Sequence, residues 1–134
     1  MRRMSKKMCA RVAECAEYRR GLVKAVGRCE LCGYTPNAPR RGKPAMVLHV
    51  HEIARGIHRS NALDKPYAVL VVCAMCHMGP LSSRAAWPEP RQLAALKRSR
   101  PQDYDLEAYN TMVGRGPNRI VESEVEAWLI RKDR

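Results

Sequence analysis

The sequence predicts a small α+β fold, a metal-stapled core of two short strands and a helix with further helices on either side. Three observations carry this expectation. Cys29-x2-Cys32 and Cys73-x2-Cys76 are two identical cysteine knuckles, separated by 40 residues. Between the knuckles lie "AMVLHV" and "YAVLVV", short apolar runs of strand composition. The stretches outside them carry apolar residues at helical spacing, punctuated by Gly, Pro and capping residues. The chain accordingly divides into a basic helical arm over 1–28, a core holding both knuckles over 29–87, and a helical extension over 88–134.

Taken in order, residues 4–20 are expected to form a basic amphipathic helix, with Met8, Val12 and Cys15 on its apolar side and Cys9 next to them. Cys9 and Cys15 lie six apart without ligand spacing and read as small buried hydrophobes. Gly21 and Gly27 loosen the next segment, and "YTPNAPRRGKP" is a loop by its prolines and glycine. "ARGIHRSNALDKP" is a polar loop between the strands, and a short helix after Cys76 is expected to end at "WPEP". "RQLAALKRS" is helical, and "PQDYDLEAYNTMV" starts another helix with acids in its first turn. "GRGPN" breaks it, and "SEVEAWLI" carries a capping box of Ser123 and Glu126, with Trp128 and Leu129 packing the last helix on the body.

Composition narrows the function. The chain has 134 residues, no Phe, two Trp and five Tyr, so its core is thin and a structural metal is one way to staple it. A formal net charge of +12 points to a polyanionic partner, above all nucleic acid. Residues 1–28 hold nine Lys/Arg against two acids, which makes Lys6, Lys7 and Arg11 the expected electrostatic handle on phosphates. No secretory signal and no run long and apolar enough for a membrane span is visible, so the expected location is cytoplasmic and the six cysteines read as thiols or ligands before disulfides. In each knuckle a two-residue spacer lets both thiolates reach one tetrahedral ion, so Cys29, Cys32, Cys73 and Cys76 are expected to hold a structural zinc.

Zinc leaves the histidines unexplained. His49, His51, His58 and His77, all four in the chain, fall between Leu48 and His77. The order is knuckle, loop, strand bearing His, polar loop, strand, then a second knuckle followed at once by His. With "RCELCG", "LHVHEIARG" and "LVVCAMCH", this order resembles the zinc-stapled subset of the HNH nuclease family, over about Arg28 to Pro80. The resemblance implies a ββα-metal (His-Me finger) core and a metal-dependent DNA endonuclease or nickase of the stand-alone phage or bacterial type, with genome processing or packaging as a role. It implies a His-activated water and one divalent ion, Mg²⁺ or Mn²⁺, at the seam of hairpin and helix. RNA stays open as a substrate, and packaging or replication proteins as partners.

Carried over residue by residue, the resemblance makes His77 a ligand of that ion and Asn61 the middle letter of the signature, orienting the base or aiding phosphate binding. At the signature's first two positions the chain supplies His51 and Glu52, a departure from the usual pattern. Two assignments stand open: His51 on the ion with Glu52 as base, or His51 as base with Glu52 on the ion. Strand alternation sets His49 and His51 on one face and Glu52 on the other unless a turn begins at Glu52. Arg55, His58 and Arg59 in the loop suit phosphate contacts. A non-catalytic zinc-stapled nucleic-acid-binding protein with a degenerate site is the alternative reading.

Overall fold

Ser5 opens the first helix, its Oγ accepting from the Met8 N–H at 3.1 Å, an N-cap that satisfies one orphan donor. Helix α1 then runs over Lys6–Val26 and ends where Gly27 turns left-handed at φ 66° and donates to the Val23 carbonyl. The computed structural model describes residues 5–36, 46–78 and 87–131. The helix continues through Gly21, where the expectation placed a loosened segment. An interior glycine costs only about 1 kcal/mol relative to Ala, and the packing of Leu22, Val23 and Val26 on the core offsets that. Cys15 is buried as expected, but Cys9 is exposed, because the first turns of α1 carry little apolar cover.

Strands β1 (Leu48–Glu52) and β2 (Val69–Cys73) pair antiparallel, with Val50 opposite Val71 and His51 opposite Leu70. Leu48, Val50 and Glu52 are buried on one face of β1, while His49 and His51 are half-buried on the other. Every residue of β2 is buried. Its other edge is closed by the first knuckle: Glu30 N–H donates to the Val71 carbonyl at 2.7 Å, and Glu30 Oε1 accepts from the Val71 N–H at 2.8 Å. A side chain thus completes the ladder that a third strand would otherwise supply. The connection expected to be a polar loop folds instead into a 3₁₀ turn at Gly56–His58, a short helix α2 (Arg59–Ala62) and a second 3₁₀ turn at Pro66–Ala68. Helix α3 (Ala74–Met78) follows β2 directly, so it begins before Cys76 rather than after it.

The proline-rich "WPEP" leads into a helix, and the stretch before it, where a helix was expected to end, lies outside the described residues. Helix α4 (Glu89–Ser99) carries Pro90 in its first turn, where a missing N–H costs no helical hydrogen bond. Helix α5 (Leu106–Val113) is capped by Asp105, whose carboxylate accepts from the Ala108 N–H at 3.0 Å. Asn110 then spans the break after α5, donating to the Ile120 carbonyl and accepting its N–H. Helix α6 (Glu122–Leu129) begins one residue before Ser123, so the expected box of Ser123 and Glu126 does not form. Val121 lacks a side-chain acceptor, and the chemically possible half of a cap is Glu124 accepting from the Val121 N–H at 3.3 Å. Glu126 bonds to Lys97 on α4 instead.

One continuous core joins both strands and the helices, with Ile53, Leu70, Val71, Val72, Leu93, Leu96, Tyr109 and Val125 at its centre. Trp128 and Leu129 pack against it, as expected. Arg100 locks the C-terminal helices to the knuckle. Its guanidinium meets Glu30 at 2.9 Å, Asp103 at 2.8 Å and the Val69 carbonyl at 2.7 Å. Among the described residues, no helix is long and apolar enough to cross a membrane. Of the expected loop over 34–44, residues 37–44 lie outside the described residues, as do Ala45 of the expected first strand and the stretch 79–86.

Candidate metal centre and adjoining histidine seam

The first knuckle is a tight turn in which Cys29 N–H donates to the Tyr34 carbonyl and Gly33 N–H donates to the Cys29 carbonyl, both at 2.8 Å. Gly33 sits at φ 83°, which a side chain would strain, so glycine closes the turn. The second knuckle spans the end of β2 and the first turn of α3. It faces the first because Glu30 fixes the first against β2. The Sγ atoms of Cys29, Cys32, Cys73 and Cys76 lie within 4.8 Å of one another, and Cys32 and Cys73 are 3.7 Å apart. A tetrahedral zinc with Zn–S of about 2.3 Å requires thiolates roughly 3.8 Å apart, so the quartet fits a structural zinc.

Its electrostatics suit a cation. The Cys76 thiol holds Cys29 down to about 4, helped by backbone hydrogen bonds from Cys73, Leu31 and Cys32 against the opposing effect of burial. Cys32 moves the other way, first through burial and then through its negatively charged neighbour Cys29. The opposite directions express one fact: without a cation, thiolate charge concentrates on one sulfur and repels ionisation of the next. A bound zinc would stabilise the thiolates together and release their protons.

Beside the quartet three of the four histidines, His49, His51 and His77, gather at the seam of hairpin and α3. His77 follows Cys76, so the sulfur cluster fixes where it starts. Its ring centroid lies 5.3 Å from that of His51 and 5.7 Å from that of His49. His51 Nε2 and Gln92 Oε1 are 2.9 Å apart, and Gln92 Nε2 donates to the Trp87 carbonyl at 2.7 Å. That second bond orients the amide, because a carbonyl can only accept. Gln92 therefore turns its oxygen to His51, so His51 carries its proton on Nε2 and keeps a lone pair on Nδ1. Burial pushes the His51 pKa below its ordinary value, Gln92 opposes this, and His77 adds to it. His77 is likewise lowered, by burial and then by His49.

The other expected residues fall in several places. A cavity of about 440 Å³ is lined by His51, Glu52, His77, Arg19, Arg55 and Arg59, among others. Glu52 emerges on the β1 face opposite His51, as alternation predicts, and both its oxygens are engaged. Oε2 meets Arg19 at 3.0 Å and Oε1 meets Arg59 at 3.2 Å. An ion taking Glu52 as ligand would have to share those oxygens with two guanidinium groups. Among the described residues, the cysteine quartet is the group whose donor atoms converge on one point, and His51, Glu52 and His77 do not form a comparable cage. Asn61 is exposed on α2 and is not among the residues lining the cavity, although Arg59 and Leu63 on either side of it are. His58 ends the first 3₁₀ turn and does not line it either. Arg55 donates to the Trp87 carbonyl at 3.1 Å. Lys6 and Lys7 are exposed at the start of α1, while Arg11 is turned to Glu14, Asp64 and the Ser60 carbonyl.

Gln92 is the residue that sequence reading missed. It sits 41 positions from His51. Its signal was a polar side chain on the stripe of Leu93 and Leu96, facing the core of an amphipathic helix.

This architecture defines a class: a mixed helical domain with a two-stranded antiparallel sheet and a four-cysteine cluster able to hold zinc. No protein-family model, curated protein or solved structure matches the chain.

Proposed function

We propose that this chain is a metal-dependent DNA endonuclease or nickase of the HNH type, in which His51 is the general base. The observation that supports the reading best is the Gln92–His51–His77 arrangement: a half-buried, oriented imidazole beside a second histidine, where β1, β2 and α3 meet next to the cysteine quartet. A neutral imidazole with an open Nδ1 can take a proton from water as the water oxygen attacks phosphorus. The P–O3′ bond then breaks and the departing O3′ takes a proton from solvent, which leaves 5′-phosphate and 3′-hydroxyl ends. Gln92 takes the orienting task that the family resemblance gave to Asn61. Glu52 serves here as the anchor that holds Arg19 and Arg59 at the rim of the cavity, with Arg55 and Arg59 meeting phosphates. His77 is the expected ligand of an added Mg²⁺ or Mn²⁺, which is bound with help from substrate phosphate where protein ligands are few.

A second reading has its own observation. Glu52 is saturated by arginines and, among the described residues, no cage of carboxylates stands ready, which favours a chain that binds nucleic acid without cutting it. The test is conversion of supercoiled plasmid by zinc-loaded protein with Mg²⁺ or Mn²⁺, beside His51→Ala. Open-circle or linear product that the variant fails to make supports the nuclease. Intact plasmid across several divalent ions, with a retained gel shift, supports the binding protein.

A further inference from the structure

Both tryptophans of the chain, Trp87 and Trp128, line a single groove of about 560 Å³ between the first knuckle, α4 and α6. Four arginines, Arg28, Arg91, Arg98 and Arg131, line it with them. The acid in its wall, Glu30, has a side chain with no exposure and is neutralised by Arg100. The groove therefore faces solvent as a concentrated positive field.

Its guanidinium groups are positioned. Arg91 Cζ lies 3.5 Å from the centroid of the Trp87 ring and 4.8 Å from that of Trp128, and Arg131 Cζ lies 4.1 Å from Trp128. A guanidinium stacked on an indole keeps its N–H donors in its own plane, where they can meet phosphate oxygens in pairs. Arg28 donates to Ser99 Oγ at 3.3 Å and Arg98 to the Leu129 carbonyl at 3.1 Å, which restricts both side chains while using one donor of each fork. Four guanidinium groups along one concave wall exceed what a single phosphate needs and match successive phosphates of a strand.

Trp87 joins the groove to the histidine seam. Its ring lies under Arg91, while its carbonyl accepts from Gln92 and Arg55 beside His51. We infer that this groove is a second nucleic-acid contact, gripping the phosphate backbone of a DNA strand that continues past the seam. The inference rests on the nucleic-acid half of the reading above and is independent of cleavage.

The two tryptophans give the test its own reporter. Zinc-loaded full chain is titrated with an end-labelled 20-mer, duplex and single-stranded, following both label anisotropy and tryptophan fluorescence over a range of salt. Binding should change the tryptophan signal in step with anisotropy. The double variant Arg28→Gln, Arg98→Gln should weaken binding about tenfold or more, and its log K against log salt slope should be shallower by roughly 1.4 to 1.8, two phosphate contacts. Zinc content and urea midpoint check its fold, and Arg131→Gln alone should give about half the change in slope if the double variant is impaired. DNA binding with an unchanged tryptophan signal and unchanged slopes in folded variants overturns the groove and leaves the nucleic-acid reading standing. Absence of any DNA binding by the wild-type chain overturns both. Poly-L-glutamate that binds as tightly, with the same fluorescence change, would make the groove a general polyanion face and overturn the inference for DNA.

Discussion

Arg100→Met should be among the most damaging single substitutions outside the cysteines. Glu30 has no exposed side-chain surface and Arg100 only 6%, so the substitution strands a carboxylate in the interior beside the first knuckle. It also removes the donor to the Val69 carbonyl. Breaking a buried pair from one side costs about 3–5 kcal/mol, because the remaining charge is desolvated without compensation. A chain of this length has roughly 7–20 kcal/mol of stability in total, so the variant should fold but melt early. Urea unfolding of zinc-loaded protein, followed by tryptophan fluorescence, measures the loss directly. Adding Glu30→Gln should recover part of it, since a neutral amide can still accept from the Val71 N–H that Glu30 Oε1 holds. A loss below about 1 kcal/mol, or a double variant as unstable as the sum of the singles, would refute the claim that this pair ties the C-terminal helices to the knuckle.

Further outcomes follow from the same geometry. Chelating zinc, or replacing Cys32 by Ser, should unfold the knuckles with the hairpin, because closing 40 residues between Cys32 and Cys73 without a ligand costs about 3 kcal/mol or more. Cobalt substitution should give the visible absorbance of tetrahedral thiolate coordination at one ion per chain, and lack of that spectrum would contradict the quartet. Gln92→Leu should cost about 1–3 kcal/mol in urea unfolding by stranding the His51 N–H, and a neutral result would dissociate Gln92 from His51. Lys97 depresses the pKa of Glu122 first by hydrogen bonding, so NMR titration should find Glu122 protonating below its ordinary 4.5 in the wild type and closer to it in Lys97→Met. The folded pKa is the lower one, so this contact stabilises above the unfolded pKa and is lost as pH falls through the folded value.

What was legible in the sequence was local. The knuckles announced themselves because a two-residue spacer has a geometric meaning, and their four sulfurs do meet. Period-two alternation placed His49 and His51 opposite Glu52 correctly, because a strand allows little else. Boundaries were less legible where tertiary packing decides. Gly21 is carried inside α1 by the apolar residues after it, and Pro90 reads as a stop until its place in a first turn is known. The two arginines on Glu52 come from α1 and α2, 33 and 7 positions away, and no local pattern reports such a meeting. Gln92 stayed hidden for the same reason, although a glutamine just before the core-facing Leu93 and Leu96 was a sign that its amide had a partner within the fold.

The most direct measurement of the central claim is single-turnover plasmid cleavage by wild type, His51→Ala and Gln92→Ala, each zinc-loaded and supplied with Mg²⁺ or Mn²⁺. A general base contributes about 10²–10⁴ to rate, so His51→Ala should lose that much, and Gln92→Ala should fall between it and the wild type while binding DNA equally well. Cleavage by His51→Ala at the wild-type rate would contradict the assignment of His51 as the base.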